Sequence, residues 1–429
     1  MPVSALSELY VLVVDDTVVY RRILQKVVDE IANAKVVGVA ANGRIALERL
    51  DALEVDIVLL DVEMPEMDGI EALQEIRRRW PGIGVVLFSG ADKRSADLTM
   101  RALELGALDF VPKADTGDVG RNHRQLVQQL EVIFRGFERR RLLNEACART
   151  SVKPGAGGPS LHSESVGASV GKVSECVRRT GAIVGIQADG MATAGHARLS
   201  SGQQRAAASL GPLRDGSIAE PSAGRYSNIA VEALLIGCST GGPQALAKVI
   251  PQLPADLGVP VFVVQHMPPI FTASLAETLN RASRMPVCEA TAGQLVQANR
   301  VFIAPGGRHM AVLGERGQGQ RFIVLTDEPP VNSCRPSVDV LFRSALAVYA
   351  GATLSVVLTG MGEDGLDGVR ALRDAGGRTL TQSEDSCVVY GMPRAIDVAG
   401  YSDESVGLND MATQIVAWLR RGGSRQKRE

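Results

Sequence analysis

The residues of this chain best suited to chemistry fall into two groups. In the first, Ser239 lies in the run Ile236-Gly237-Cys238-Ser239-Thr240-Gly241-Gly242, a G-x-S-x-G frame closing the apolar stretch 231–236. A buried strand entering a glycine-rich turn ahead of a helix holds such a serine up at a sheet edge, as a nucleophile elbow does. Its hydroxyl then needs a base, and the base an orienting acid. Of the five histidines, His123, His162 and His196 lie at the end of the first patterned region or in the polar stretch after it, leaving His266 and His309. His266 ends the predicted strand 259–265 directly after the serine's own βαβ unit, and a right-handed crossover places that strand end beside Ser239. His309 follows a Pro-Gly-Gly turn and is the weaker candidate, suited to supporting the base or binding substrate. Asp364, in Thr359-Gly360-Met361-Gly362-Glu363-Asp364-Gly365 after the predicted strand 354–358, is the candidate acid.

Each of these residues also has a plainer reading. A glycine-rich turn before a helix can bind phosphate, and Asp364 could simply cap the helix after it. No Walker lysine follows Gly242 and the turn at 237–242 is not a G-x-G-x-x-G, which weakens the phosphate option there. The order Ser, His, Asp also departs from the Ser, acid, His order of α/β-hydrolases. Cys238 is expected to be packed rather than reactive.

The second group is acidic. Asp15 and Asp16 end the first predicted strand and Asp61 the third, while Ser89 ends the fourth and Lys113 follows the fifth. Carboxylates crowded at one sheet edge are costly unless a hard divalent cation neutralises them, and oxygen donors suit Mg²⁺. With a hydroxyl and an ammonium on the same rim, this is the equipment of phosphoryl transfer, one aspartate serving as nucleophile.

Both groups need α/β scaffolds. Apolar runs at 10–14, 36–40, 57–60, 85–88 and 107–111 alternate with helical patterns such as 21–31 and 70–78, which predicts a parallel, doubly wound sheet. Ligands of such sheets sit at the strands' carboxyl ends. Alternation resumes at Ile229, with strands expected at 231–236, 259–265, 300–303, 322–325 and 354–358. Helices are expected at 243–250, 272–281, 338–349, 365–374 and 412–420, and residues 308–326 have the pattern of an antiparallel hairpin. Between the halves, 141–228 is rich in Gly, Ala, Ser and Arg, and no Phe or Trp occurs between Phe137 and Phe262. Too little apolar surface is available there to offset ordering entropy, so a flexible linker is expected. The whole is α/β, two doubly wound parallel-sheet domains of 8–130 and 229–420 joined by that linker.

A chain of 429 residues is too long for one ordinary core. Its formal charge of −2 offers no argument for nucleic acid, and Arg425, Lys427 and Arg428 make a short solvated basic tail. Six scattered cysteines without a C-x-x-C pair point to neither a disulfide framework nor a zinc site. A soluble, cytoplasmic protein is expected, with no leader and no membrane span.

Two resemblances follow from quoted residues. Asp61-Val62-Glu63-Met64-Pro65-Glu66-Met67-Asp68-Gly69 and Asp109-Phe110-Val111-Pro112-Lys113 resemble the hallmark segments of two-component receiver domains, over roughly residues 8 to 130. The resemblance implies that Asp61 accepts the phosphoryl group and that a histidine kinase donates it. It further implies that Asp16, Asp61 and the backbone carbonyl of Glu63 hold Mg²⁺, with Asp15 acting partly through water, and that Ser89 and Phe110 form the switch pair.

In the second half, 236–242, Gln265-His266-Met267-Pro268, Ala304-Pro305-Gly306-Gly307-Arg308-His309-Met310 and 358–365 resemble the signature segments of chemotaxis protein-glutamate methylesterases, over about 229 to 420. That resemblance implies Ser239 as nucleophile, His266 as general base and acid, Asp364 as orienting carboxylate and the Met361 backbone N–H as oxyanion donor. It implies hydrolysis of glutamate methyl esters on chemoreceptors, deamidation of receptor glutamines, no cofactor in the esterase site, and membrane association only through receptors. Two departures stand out: Cys238 where the family more often has Ala, and a longer linker.

Overall fold

The computed structural model describes residues 8–113, 119–150, 230–315 and 319–421. Of the stretch 141–228, the part beyond 150 lies outside the described residues, as do His162, His196 and the C-terminal basic residues.

In the N-terminal half the chain alternates β1 (Leu9–Val14), α1 (Val18–Asp29), β2 (Ala34–Ala40), α2 (Gly43–Ala52), β3 (Ile57–Asp61), α3 (Gly69–Arg79), β4 (Gly84–Ser89), α4 (Lys93–Glu104), β5 (Asp109–Pro112) and α5 (Val119–Thr150). Its strands form one parallel sheet in the order β2-β1-β3-β4-β5. Every residue of β3 and β4 is buried, as expected of strands covered by helices on both faces. Three helices start on acceptor side chains: Asn42 takes the Ile45 N–H, Asp92 takes that of Ser95, and Asp68 forms a capping box with Glu71. Helix α5 packs Leu130, Ile133 and Phe134 against the sheet and continues past Arg141, where the sequence texture changes, to Thr150.

The C-terminal half contains β6 (Ala233–Cys238), α6 (Gly242–Val249), β7 (Val261–Gln265), α7 (Pro269–Ala282), β8 (Val287–Glu289), β9 (Val301–Ile303), β10 (His309–Leu313) and β11 (Phe322–Thr326). There follow α8 (Val338–Tyr349), β12 (Thr353–Val357), α9 (Leu366–Asp374), β13 (Arg378–Gln382), α10 (Met392–Val398), β14 (Glu404–Val406) and α11 (Met411–Arg421). Seven of these strands make a parallel sheet ordered β14-β13-β12-β6-β7-β9-β8, and β10 pairs antiparallel with β11 as a separate hairpin. Two doubly wound sheets and an added hairpin are what the apolar pattern predicts. Strand β6 is central: the chain leaves it toward β7 on one side and β12 takes the other, which makes its carboxyl end a topological switch point.

The sequence reading misses β8, β13, β14 and α10. In β13 all five residues are buried, although Arg378, Thr379, Thr381 and Gln382 are polar. The side chains of Thr379, Thr381 and Gln382 find partners inside: Ser355 Oγ lies 2.8 Å from Thr379 Oγ1, Thr381 Oγ1 donates to Asp397 at 2.7 Å, and Gln382 Nε2 donates to the Ser386 carbonyl at 2.8 Å. A strand satisfied in this way carries no apolar run to read.

Helix α4 of the first half packs on α6 and α7 of the second. One buried cluster contains Met100 and Leu103 from α4 together with Leu246 from α6 and Leu275 and Leu279 from α7. Among the described residues, no helix is long and apolar enough to cross a membrane.

Candidate active sites

Ser239 follows β6, His266 follows β7 and Asp364 lies in the turn after β12, three strands that are neighbours in the sheet. The backbone ties these ends together: the His266 N–H donates to the Cys238 carbonyl at 3.2 Å and the Ser239 N–H to the Thr359 carbonyl at 3.0 Å. Gly241 caps α6 at φ +75°, a conformation glycine adopts without strain. A Cβ on Gly242 would come within 1.9 Å of Gln265 Oε1, so glycine here admits that side chain. Gln265 Nε2 donates to the carbonyls of Ser239 at 2.9 Å and His266 at 3.2 Å, while its Oε1 accepts the Cys238 thiol at 3.1 Å. Cys238 is fully buried and burial pushes its thiol pKa up, so it is packed and unreactive.

His266 Nε2 lies 2.8 Å from Asp364 Oδ2. Burial alone would lower the imidazole pKa, but the bonds to Asp364 and Cys334 outweigh it and raise it to about 9. Asp364 in turn accepts Ser337 Oγ at 2.8 Å, the Val338 N–H at 2.7 Å, Asn332 Nδ2 at 2.9 Å and the Asp339 N–H at 3.3 Å. Burial would raise this carboxyl, yet the His266 interaction, Asn332 and Val338 hold it down at about 2. The imidazole is thereby fixed with Nδ1 as its remaining nitrogen, and Cys334 Sγ lies 3.5 Å from that atom.

His309 is fully buried in β10. Its Nδ1 accepts the Ser337 N–H at 3.2 Å, so Nε2 carries the proton donated to the Pro329 carbonyl at 3.1 Å. It therefore braces the segment that supplies the donors to Asp364. Met361 stands on the rim, 44 % exposed. Sequence reasoning misses Gln265, Asn332, Cys334, Ser337 and Thr359. Their types are common in turns, and only Gln265, beside His266, and Thr359, in the glycine-rich turn at 359–365, lie in segments that gave a signal.

In the first half, Asp15, Asp16 and Asp61 offer carboxylate oxygens that all lie within 4.8 Å of one another. Lys113 Nζ is 2.7 Å from Asp61 and 2.8 Å from Asp15. Burial pushes Asp61 up to about 6 despite that ammonium, and Asp15 Oδ2 is buried without a hydrogen bond of good geometry. Ser89 Oγ points into α4, donating to the Ser95 carbonyl at 3.1 Å and accepting Thr99 Oγ1 at 2.7 Å. Glu63 follows β3 by two residues, and its side chain takes the Ser95 hydroxyl at 3.2 Å.

The two edges meet. Phe110 lies 4.6 Å, centroid to centroid, from Phe271 of α7. Beside it, Asp109 Oδ2 accepts the Gly241 N–H at 3.2 Å and its Oδ1 the Phe110 N–H at 2.8 Å. Burial pushes the Asp109 carboxyl up to about 7 against those two donors. Around this contact Lys93 pairs with Glu277 at 3.4 Å, Arg139 pairs with Glu384, and Arg140 donates to the Cys387 carbonyl at 3.3 Å. A Cβ on Gly136 of α5 would come within 2.2 Å of the Val388 carbonyl, so a glycine permits this approach.

Comparison with known proteins agrees with both halves. Residues 234–415 match the CheB methylesterase family and residues 11–120 the response regulator receiver domain family. A protein-glutamate methylesterase/protein-glutamine glutaminase of Desulfotalea psychrophila is 36% identical over 411 residues, 96% of this chain and 98% of that protein. One of the same name from Trichodesmium erythraeum is 35% identical over 408 residues, 95% of this chain and 97% of its own. A solved CheB methylesterase catalytic domain of Thermotoga maritima is 36% identical, covering 44% of this chain and 100% of its own, with a TM-score of 0.43.

Proposed function

This chain belongs to the protein-glutamate methylesterase/protein-glutamine glutaminase family, and from that membership we propose how its two sites work. The protein hydrolyses glutamate methyl esters on chemoreceptors under the control of its receiver domain. It acts on receptor glutamines at the same site, and it works in the cytoplasm.

The observation that carries the proposal is the His266–Asp364 pair, 2.8 Å apart, at the strand end beside Ser239. Ser239 attacks the γ-carbonyl of the methylated glutamate while His266 takes the serine proton through Nδ1. The oxyanion rests on backbone N–H groups at the mouth of the site, Met361 among them. The C–O bond to methoxide breaks, methoxide takes the proton from His266 and leaves as methanol. Water then attacks the acyl-serine by the reverse use of His266, freeing glutamate and the serine. With glutamine the C–N bond breaks instead and ammonia leaves. Ser239→Ala should abolish methanol release from methylated receptor membranes; release at the wild-type rate would overturn the assignment.

Control lies in the seam. Receiver residues Asp109 and Phe110 sit on the Gly241 N–H and Phe271, beside the nucleophile's turn. In the receiver pocket Asp61 accepts the phosphoryl group from a histidine kinase, with Lys113 neutralising its oxygens. The pocket fits Mg²⁺: its donors are oxygens, three carboxylates face one ammonium, and the buried Asp15 Oδ2 lacks a hydrogen bond of good geometry. Asp15, Asp16, Asp61 and the Glu63 carbonyl would hold the ion, which supplies charge neutralisation for the transfer. Ser89 turning from α4 to the phosphoryl group frees space for Phe110, and Phe110 leaving Phe271 opens the esterase edge. A deletion of residues 1–228 with an unchanged esterase rate would exclude this occlusion.

A further inference from the structure

Cys334 has a place in the esterase site that hydrolysis does not use. It closes a tight turn in which Val331 and Cys334 exchange both backbone hydrogen bonds, at 3.1 and 2.9 Å. The two residues inside the turn, Asn332 and Ser333, adopt φ +51° and +61°. Non-glycine residues hold that conformation where their surroundings over-determine it. Here Asn332 Nδ2 is tied to Asp339 at 2.8 Å and to Asp364 at 2.9 Å. The turn thus presents the Cys334 sulfur to His266 Nδ1 at a separation of 3.5 Å.

That separation is the edge of a zinc tetrahedron. With Zn–N of about 2.0 Å and Zn–S of about 2.3 Å, the tetrahedral angle places nitrogen and sulfur about 3.5 Å apart. A metal-bound histidine characteristically gives its other ring nitrogen to a carboxylate, which sets its orientation and basicity. His266 already does so through Asp364 at 2.8 Å. The Asp364 oxygen also falls within 4.8 Å of the other two donors. Its acceptor capacity is committed to Ser337, Val338, Asn332 and Asp339 as well as His266, so its part is to orient rather than to ligate.

We propose that His266 Nδ1 and Cys334 Sγ form a binding site for a thiophilic divalent cation of the zinc class, whose occupation silences the esterase by taking the base's lone pair. Water completes the coordination. The thiol loses its proton on binding. An imidazole–thiolate pair selects zinc over magnesium. The receiver's oxygen pocket selects the reverse, so the two ions act on opposite ends of one chain. The silencing rests on His266 being the esterase base; the binding itself does not.

Free Zn²⁺, set with metal buffers, is titrated against methanol release by the full-length protein, each variant normalised to its own zinc-free rate. The wild type should lose activity at micromolar Zn²⁺ and be indifferent to the same concentration of Mg²⁺. Cys334→Ser should need at least about tenfold more Zn²⁺ for the same fractional loss. Binding is read separately from the near-ultraviolet thiolate-to-cobalt band on adding Co²⁺, which should form in wild type and in inactive Ser239→Ala and vanish in Cys334→Ser. Equal zinc sensitivity in Cys334→Ser, no inhibition of wild type, or a cobalt band that survives Cys334→Ser would each overturn the proposal. A band present in Ser239→Ala, with esterase activity that does not depend on Ser239, would instead leave the metal site standing and sink the nucleophile assignment.

Discussion

Two aspartates, each buried at the carboxyl edge of a parallel sheet, have been brought to opposite conditions. Asp364 of the esterase sheet has its neighbours' donors aimed at it and stays ionised, its carboxyl held at about 2. Asp61 of the receiver sheet shares one ammonium with Asp15 and is pushed up to about 6 by burial. A carboxylate whose charge is already balanced can orient a partner without needing anything more. One left short of positive charge is set up to receive a cation and a phosphoryl group. Similar scaffolds thus yield a preorganised site and a waiting one, and the number of donors makes the difference.

The strongest way to break that comparison is to remove the balanced carboxylate. Asp364→Asn should cost about 10⁴-fold in kcat, because an amide can no longer fix and stabilise the imidazolium, with KM little changed. Methanol-release kinetics measure it, and a loss below tenfold would mean that Asp364 is only a cap for α9. At the waiting site the matching change should act on control alone. Asp61→Asn should abolish the rise in esterase rate produced by a small-molecule phosphodonor. A rise that persists in this variant would remove Asp61 from the pathway.

The unequal donor sets also decide what can be read from the sequence. Ser239, His266 and Asp364 are legible because each ends a strand whose apolar run or glycine-rich turn marks the position. The carboxylates and Lys113 are legible for the same reason. The donors that balance Asp364 are not: Asn332 and Ser337 come from a loop with no apolar period and the Val338 N–H is the first of α8, the whole braced by a histidine on a separate hairpin. Strand β13 is hidden because its polar side chains are satisfied by partners that only the fold supplies. Asp109 is hidden differently: within its own sheet it is one more strand residue, and its role exists only where the Gly241 N–H meets it. Periodicity reports what a segment does for its own layer, and it is silent on contacts made across layers.

A third carboxylate, Asp109, stands between the two extremes and tests whether the seam is held by that bond. Asp109→Ala removes one buried acceptor and leaves the Gly241 N–H free. A hydrogen bond of this kind contributes on the order of 1 kcal/mol, so the unphosphorylated rate should rise roughly fivefold, toward the phosphorylated one. An unchanged unphosphorylated rate would leave closure to Phe110 and the surrounding ion pairs.

The smallest expected effect is one of pH. In the closed arrangement burial pushes the Asp109 carboxyl up to about 7, and on opening it returns to water and to the ordinary carboxylate range. Between that range and pH 7 the closed form therefore binds more protons than the open form. Closure is favoured by acid and weakens as the pH rises through that window, with no further change from this group above it. His266 titrates as well, but it does so in both the phosphorylated and the unphosphorylated protein. The ratio of unphosphorylated to phosphorylated rate should accordingly climb severalfold from pH 5 to pH 7.5 and then level off. Asp109→Asn keeps an acceptor for Gly241 but cannot titrate, and it should flatten the ratio while the exposed pairs Lys93–Glu277 and Arg139–Glu384 are still in place. A slope that survives in Asp109→Asn would shift the pH dependence to those pairs and leave Asp109 a plain hydrogen-bond acceptor.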